Sequence, residues 1–300
     1  MTGATFDTLS AIADRFTALR HRPPDLPGAV TAAFASVAGD ERLPELAPLR
    51  AAGATLAAAI DAASAGRPEL PYHNRHHFAE TVLAMGWLCG IARERGLIPA
   101  SLAGLGVVAM TGHDWGHDGS APNKGRLEAE AATATLAVVA PLPDHGCDVV
   151  RAVILGTDPA QVAENAARAA GKLPAGPLGA RVDTLCNLAN EADVFASLLP
   201  ALAWEQAEAL AAERHGQALG DTVATYGGRL AFLRTYGCFS EPARRVGLAD
   251  LQERQVEAFA RVAGRLGAGS TPEAGAAALD RLPRAKAQAL YSEALEAEAA

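Results

Sequence analysis

From Ala100 to His113 the chain runs almost wholly apolar and then meets Asp114. An uncharged run of this length reads as a helix with no solvent face, so it must be buried on every side. Such a helix needs other helices around it. It also carries an imidazole and a carboxylate inward at its C-terminal end. Placing Asp114 next to Val107, Val108 and Met110 is costly without a compensating cation, and a metal supplies one.

The surrounding sequence has the same helical character. Apolar residues recur at helical spacing from Thr8 to Arg20, and Pro23-Pro24 stops them. Ala29 to Ala38 and Leu46 to Ala65 predict two Ala-rich helices, and Gly66-Arg67-Pro68 closes this section. A longer helix is expected from Asn74 to Arg95, with Phe78, Val82, Met85, Leu88 and Cys89 as its inward stripe. Further helices are expected over Leu127 to Val139, Asp148 to Leu155, Arg181 to Leu199, Trp204 to Ala218, Val223 to Arg234, Leu248 to Gly267 and Glu273 to Ala300. No alternating strand pattern or internal repeat interrupts them. The expected architecture is all-α, a compact multi-helix bundle. Residues 1–69 form a helical preface packing on a core of residues 70–300, and no linker divides the two.

Composition limits the function classes. Half of the residues are hydrophobic and 5% are aromatic, which suits close packing of aliphatic helices. A net charge of −8 argues against a nucleic-acid polymer as partner, since phosphate binding wants a basic face. The four cysteines, Cys89, Cys147, Cys186 and Cys238, form no C-x-x-C pair and read as small hydrophobes. The N-terminal residues lack a signal-like pattern, and no stretch of about 18 apolar residues offers a membrane span. A cytoplasmic protein without membrane contact is the expectation. The amphipathic tail from Glu273 to Ala300 suits either a homodimer helix or a cover over the core.

Five of the eight histidines crowd into two short blocks, Pro71-Tyr72-His73-Asn74-Arg75-His76-His77 and His113-Asp114-Trp115-Gly116-His117. His73 and His77 lie four apart, as do His113 and His117, so each pair projects from one face of a helix. Adjacent residues on a helix point about 100° apart, so His113 and Asp114 either share one metal where the helix ends or divide between two. A carboxylate can bridge two ions. Asp114 is therefore the natural bridge of a two-metal centre, and Asp193, in the apolar setting Ala192-Asp193-Val194-Phe195, is a further ligand candidate.

These blocks resemble the metal-dependent phosphohydrolases of the HD-domain superfamily. They are most similar to the catalytic domains of class I 3′,5′-cyclic nucleotide phosphodiesterases. Tyr72-His73-Asn74-x-x-His77 and His113-Asp114-x-x-His117-x-Gly119 correspond to that family's first two motifs. Asn123, Leu127-Glu128, Thr157-Asp158 and Ala192-Asp193 follow in the family's order, over roughly residues 71–233. The resemblance implies that His77, His113, Asp114 and Asp193 ligate a first metal, zinc. Asp114 would reach a second metal, magnesium or manganese. His117 and Glu128 would hold that metal's waters and His73 would be the general acid. Tyr72, Asn123, Thr157, Arg229 and Phe232 would contact substrate, a small phosphoester. His76 stands at a position the motif leaves free.

The chain departs from the family in two places. Only Lys124-Gly125-Arg126 separate Asn123 from Leu127, where the family has a longer stretch. Arg229 stands three residues before Phe232, where the family has a purine-binding glutamine, and Arg donates hydrogen bonds without accepting them. A phosphodiesterase is the leading expectation, with a phosphomonoesterase as the alternative on the same residues. A di-iron oxygenase would need more His ligands on its second metal, and His117 or His76 would have to supply one.

Overall fold

The computed structural model describes residues 8–120, 125–143, 145–217, 219–237 and 239–297. Its regular structure is seventeen α-helices and one 3-10 turn, with no strand among the described residues. The all-α expectation holds.

Local chemistry sets the helix starts. Helix α1 (Leu9–Arg20) begins where the Thr8 side chain accepts from Ala11 N–H, and α2 (Leu26–Ala38) where Asp25 accepts from Gly28 N–H with Pro27 in the first turn. Then come α3 (Leu46–Ser64), α4 (Arg75–Glu94) and α5 (Ala100–Thr111). Helix α4 packs against α2, α5 and α9 (Ala180–Asp193), which puts it at the centre of the molecule. Its crossing with α2 is close enough to require glycine: a Cβ on Gly86 would lie 2.6 Å from Ala33 Cβ, and one on Gly90 would lie 2.5 Å from Ser36 O. As the sequence requires, α5 is buried along nearly its whole length.

Around this centre lie α6 (Arg126–Val139), α7 (Gly146–Leu155), the 3-10 turn Pro159–Gln161 and α8 (Val162–Ala169). Helix α8 was not among the expected elements. The helix expected over Arg181 to Leu199 instead breaks at Val194, so that Asp193 becomes the last residue of α9. The short α10 (Phe195–Leu198) follows. Helix α11 (Pro200–Glu213) starts earlier than expected because proline suits a first helical turn. The short α12 (Gly220–Val223) precedes the helix expected from Val223 to Arg234, which starts only at Tyr226 as α13 (Tyr226–Thr235), capped by Thr225. After α14 (Glu241–Arg245) and α15 (Leu248–Arg265), the single amphipathic tail expected from Glu273 is two helices, α16 (Pro272–Leu279) and α17 (Arg284–Glu296). The break falls before Pro283.

One hydrophobic cluster joins all these parts. Phe16 and Phe34 from the N-terminal section belong to it together with Met85, Val107, Phe195 and Phe259. Arg20 on α1 reaches Glu80 on α4 at 2.7 Å and Glu205 on α11 at 2.8 Å, so the N-terminal helix holds two core helices. Cys89, Cys147 and Cys186 are free thiols, and Cys238 lies outside the described residues. Among the described residues no helix is long and apolar enough to cross a membrane.

Candidate metal centre

The histidines are positioned by helix ends. Asn74 caps α4, its side chain accepting from His76 N–H and His77 N–H while its amide donates to the Leu70 and Pro71 carbonyls. That cap puts His73 just outside the helix and His77 inside its first turn. Helix α5 ends at Thr111, and His113 and Asp114 occupy the turn that follows. Asp193 closes α9. The sequence expected α5 to run through His113. Ending it two residues earlier frees neighbouring side chains to point at one centre.

Four side chains converge there. His77 Nε2 lies 3.2 Å from Asp114 Oδ2 and 3.2 Å from Asp193 Oδ1. His113 Nε2 lies 3.1 Å and 3.3 Å from the same two atoms. His77 and His113 are each 1% exposed. Together the four residues bring donor atoms close enough to hold one metal ion. Burial alone would lower both imidazoles, but Asp114 and Asp193 outweigh it, holding His77 up at about 9 and His113 well above its ordinary value. Burial would likewise raise the carboxyls, and the imidazoles outweigh it, holding Asp193 at about 2 and Asp114 well below the carboxylate range.

Two observations fit a cation. His113 Nδ1 donates to the Met110 carbonyl at 2.9 Å, so a ring that gives up its other proton presents its lone pair at Nε2, the nitrogen facing the two carboxylates. Two imidazole nitrogens and two carboxylate oxygens in a buried cluster are a set that borderline divalent metals favour. Glu128, at the start of α6, has Oε2 buried without a partner among the described residues. Its pKa is raised by burial and by the acidic side chains of Asp158, Asp114 and Asp193.

Beside the cluster stands a pair the sequence only half revealed. His73 Nε2 lies 3.9 Å from Asp114 Oδ2, while its Nδ1 bonds Glu213 Oε1 at 2.5 Å. Glu213 Oε2 also accepts the backbone N–H groups of Tyr72 and His73, at 3.1 Å and 3.0 Å. The His117 ring stacks on His73 with centroids 3.7 Å apart. Burial and the neighbouring His73 hold His117 down at about 4. Gly119 N–H donates to His117 Nδ1, and Arg214 Nη2 lies 3.3 Å from its Nε2. His73, His117 and Glu213 make a second group with metal-ligand spacing. Glu213 and Arg214 were missed because the charged end of α11, Glu213-Arg214-His215, reads as a solvated helix terminus.

All of this opens into one cavity of about 410 Å³, lined by Tyr72, His73, Asp114, His117, Glu128, Thr157, Asp193 and by residues of α11, α12 and α13. The Tyr72 hydroxyl is 3.3 Å from Ser197 Oγ, and burial raises its pKa. Thr157 is on the wall, but its hydroxyl donates to the Ile154 carbonyl, and Asp158 caps the 3-10 turn by accepting from Ala160 N–H. Phe232 lines the cavity with its ring 5.0 Å from that of Tyr236. Arg229 is also on the wall, yet its guanidinium turns to the Ser197 carbonyl at 2.5 Å and to Gln255 Oε1 at 2.6 Å. His76 bonds the Arg22 carbonyl away from the centre. Asn123 lies outside the described residues. No protein-family model matches this chain, and no curated protein does.

Proposed function

We infer that this cavity is the active site of a metal-dependent phosphohydrolase that cleaves a small phosphodiester. The carrying observation is that the buried set His77, His113, Asp114 and Asp193 adjoins the His73–Glu213 pair in one pocket. The order of motifs shared with cyclic nucleotide phosphodiesterases supports the same reading.

In this reading His77, His113, Asp114 and Asp193 would hold zinc, Asp114 would also serve a magnesium or manganese ion, and His117 and Glu128 would orient water beside it. A divalent cation bound here contributes water activation and neutralisation of phosphate charge. The protein supplies the rest. Glu213 accepts from His73 Nδ1, which fixes the ring and directs Nε2 towards the pocket. A protonated Nε2 delivers its proton to the departing alkoxide. Arg214 is 4% exposed with Nε unpartnered, and it presents positive charge on the wall where an anionic substrate enters.

The test is a panel of bis(p-nitrophenyl) phosphate, 3′,5′-cyclic nucleotides and p-nitrophenyl phosphate, assayed with added metal and with chelator. Hydrolysis of a diester that chelator abolishes is the expected result. Preference for the monoester moves the assignment to a phosphomonoesterase. Inactivity on every ester, with iron bound, replaces hydrolysis with oxygen chemistry.

A further inference from the structure

We propose that the organic group of the ester held in this cavity is apolar, an alkyl or aryl group, and that no nucleobase is read. The proposal rests on the phosphohydrolase reading and names the substrate class for the same site. It comes from the half of the cavity away from the metal cluster, where α11, α12 and α13 form the wall.

Apolar side chains dominate that wall: Ala207 and Leu210 from α11, Leu219 and Val223 from the α12 region, and Phe232 from α13. The apolar lining continues to the mouth, where Leu219 is 47% exposed. A large apolar side chain left open at a cavity rim fits contact with an apolar ligand.

The polar groups on this wall are largely committed to the protein. The Thr222 hydroxyl donates to the Leu219 carbonyl at 3.3 Å and the Thr235 hydroxyl to the Ala231 carbonyl at 2.9 Å. Arg229, at the position where a base-reading amide would be expected, is 6% exposed and spends its guanidinium on Ser197, Leu198 and Gln255. Gln206 donates through Nε2 to Glu80 at 2.9 Å, which leaves only its buried Oε1 without a partner. Reading a base edge requires a donor and an acceptor side by side, and desolvating that edge without them is costly. An alkyl or aryl group makes no such demand.

Calorimetry on the Mn²⁺-loaded protein tests this without relying on turnover. The probes are alkyl phosphates from methyl to butyl and the monophosphates AMP, GMP, CMP and UMP. The dissociation constant is expected to fall about fourfold per added methylene, the equivalent of about 0.8 kcal/mol for each buried CH₂. The four nucleotides are expected to bind within about threefold of one another, because no amide reads the base. A flat alkyl series, or a preference of about tenfold for one base, overturns the proposal. Val223→Thr keeps the side-chain shape and adds a hydroxyl, so it is expected to weaken butyl phosphate several-fold and leave inorganic phosphate unchanged. Equal weakening of both overturns the proposal. The two readings fail separately: an alkyl gradient with no ester hydrolysed overturns the phosphohydrolase, while hydrolysis with a flat gradient overturns the apolar substrate.

Discussion

At the end of the cavity that could hold a metal, side chains from α4, from the turn after α5 and from the end of α9 approach one another to 3.1 to 3.3 Å. At the other end, Thr222, Thr235 and Arg229 all turn back into the protein. The two halves share one volume, the first built from helix ends and the second largely from the flanks of α11 and α13. The difference lies in where the polar atoms aim. Converging imidazole and carboxylate donors offer a set that could hold a cation, whereas a wall whose polar groups are already paired offers shape and desolvation. Under the proposed phosphohydrolase reading, the first half would serve chemistry common to many phosphoesters and the second would set which ester fits.

The comparison breaks most visibly at Asp114, whose carboxylate faces three imidazoles. Asp114→Ala is expected to abolish turnover and to weaken metal affinity by more than about 100-fold, the range already reached when an outer partner of a metal ligand is lost. Elemental analysis checks it, and retention of the full metal complement would place the centre elsewhere. His73→Ala is the next largest. Loss of a general acid is expected to lower kcat by about 10²–10⁴-fold while metal content stays at the parent level. If metal is lost instead, His73, His117 and Glu213 are ligands of a second ion and the His73–Glu213 pair is not an acid. The smallest effect belongs to the far half. Arg229→Met leaves the Ser197 carbonyl and Gln255 Oε1 without their guanidinium donor, while Gln255 Nε2 still donates to the Leu198 carbonyl, and is expected to cost about 2 kcal/mol of stability, read by thermal denaturation. Its nucleotide affinities should match the parent's, and a fall in them would return Arg229 to substrate recognition.

The metal end was legible in the sequence for a physical reason. Histidines crowded beside apolar runs, and a carboxylate set in Ala192-Asp193-Val194, mark the cluster in the sequence, although neither His73 and His77 nor His113 and His117 share a helix as their spacing suggests. The far half carries no such signal. Glu213 belongs to a polar helix end and becomes part of the site only because α11 returns to the mouth of α4. Arg229 and Phe232 keep the spacing of a recognition pair, yet spacing is silent about which neighbour a guanidinium meets. The helix breaks at Val194 and before Pro283 were blurred by continuous helical periodicity on both sides. Of the two, the break at Val194 matters for chemistry, since it makes Asp193 a helix terminus.

Asp280, just past α16, accepts hydrogen bonds from the backbone N–H groups of Tyr226 at 2.7 Å and Gly227 at 3.0 Å, at the start of α13. The seat of the helix that carries Phe232 and Arg229 is thus fixed from outside the cavity, by a carboxylate more than fifty positions away in the chain. If the cavity binds an ester as proposed, its selectivity would be open to remote adjustment: a change at Asp280 would loosen the seat of one wall without altering an atom that lines it.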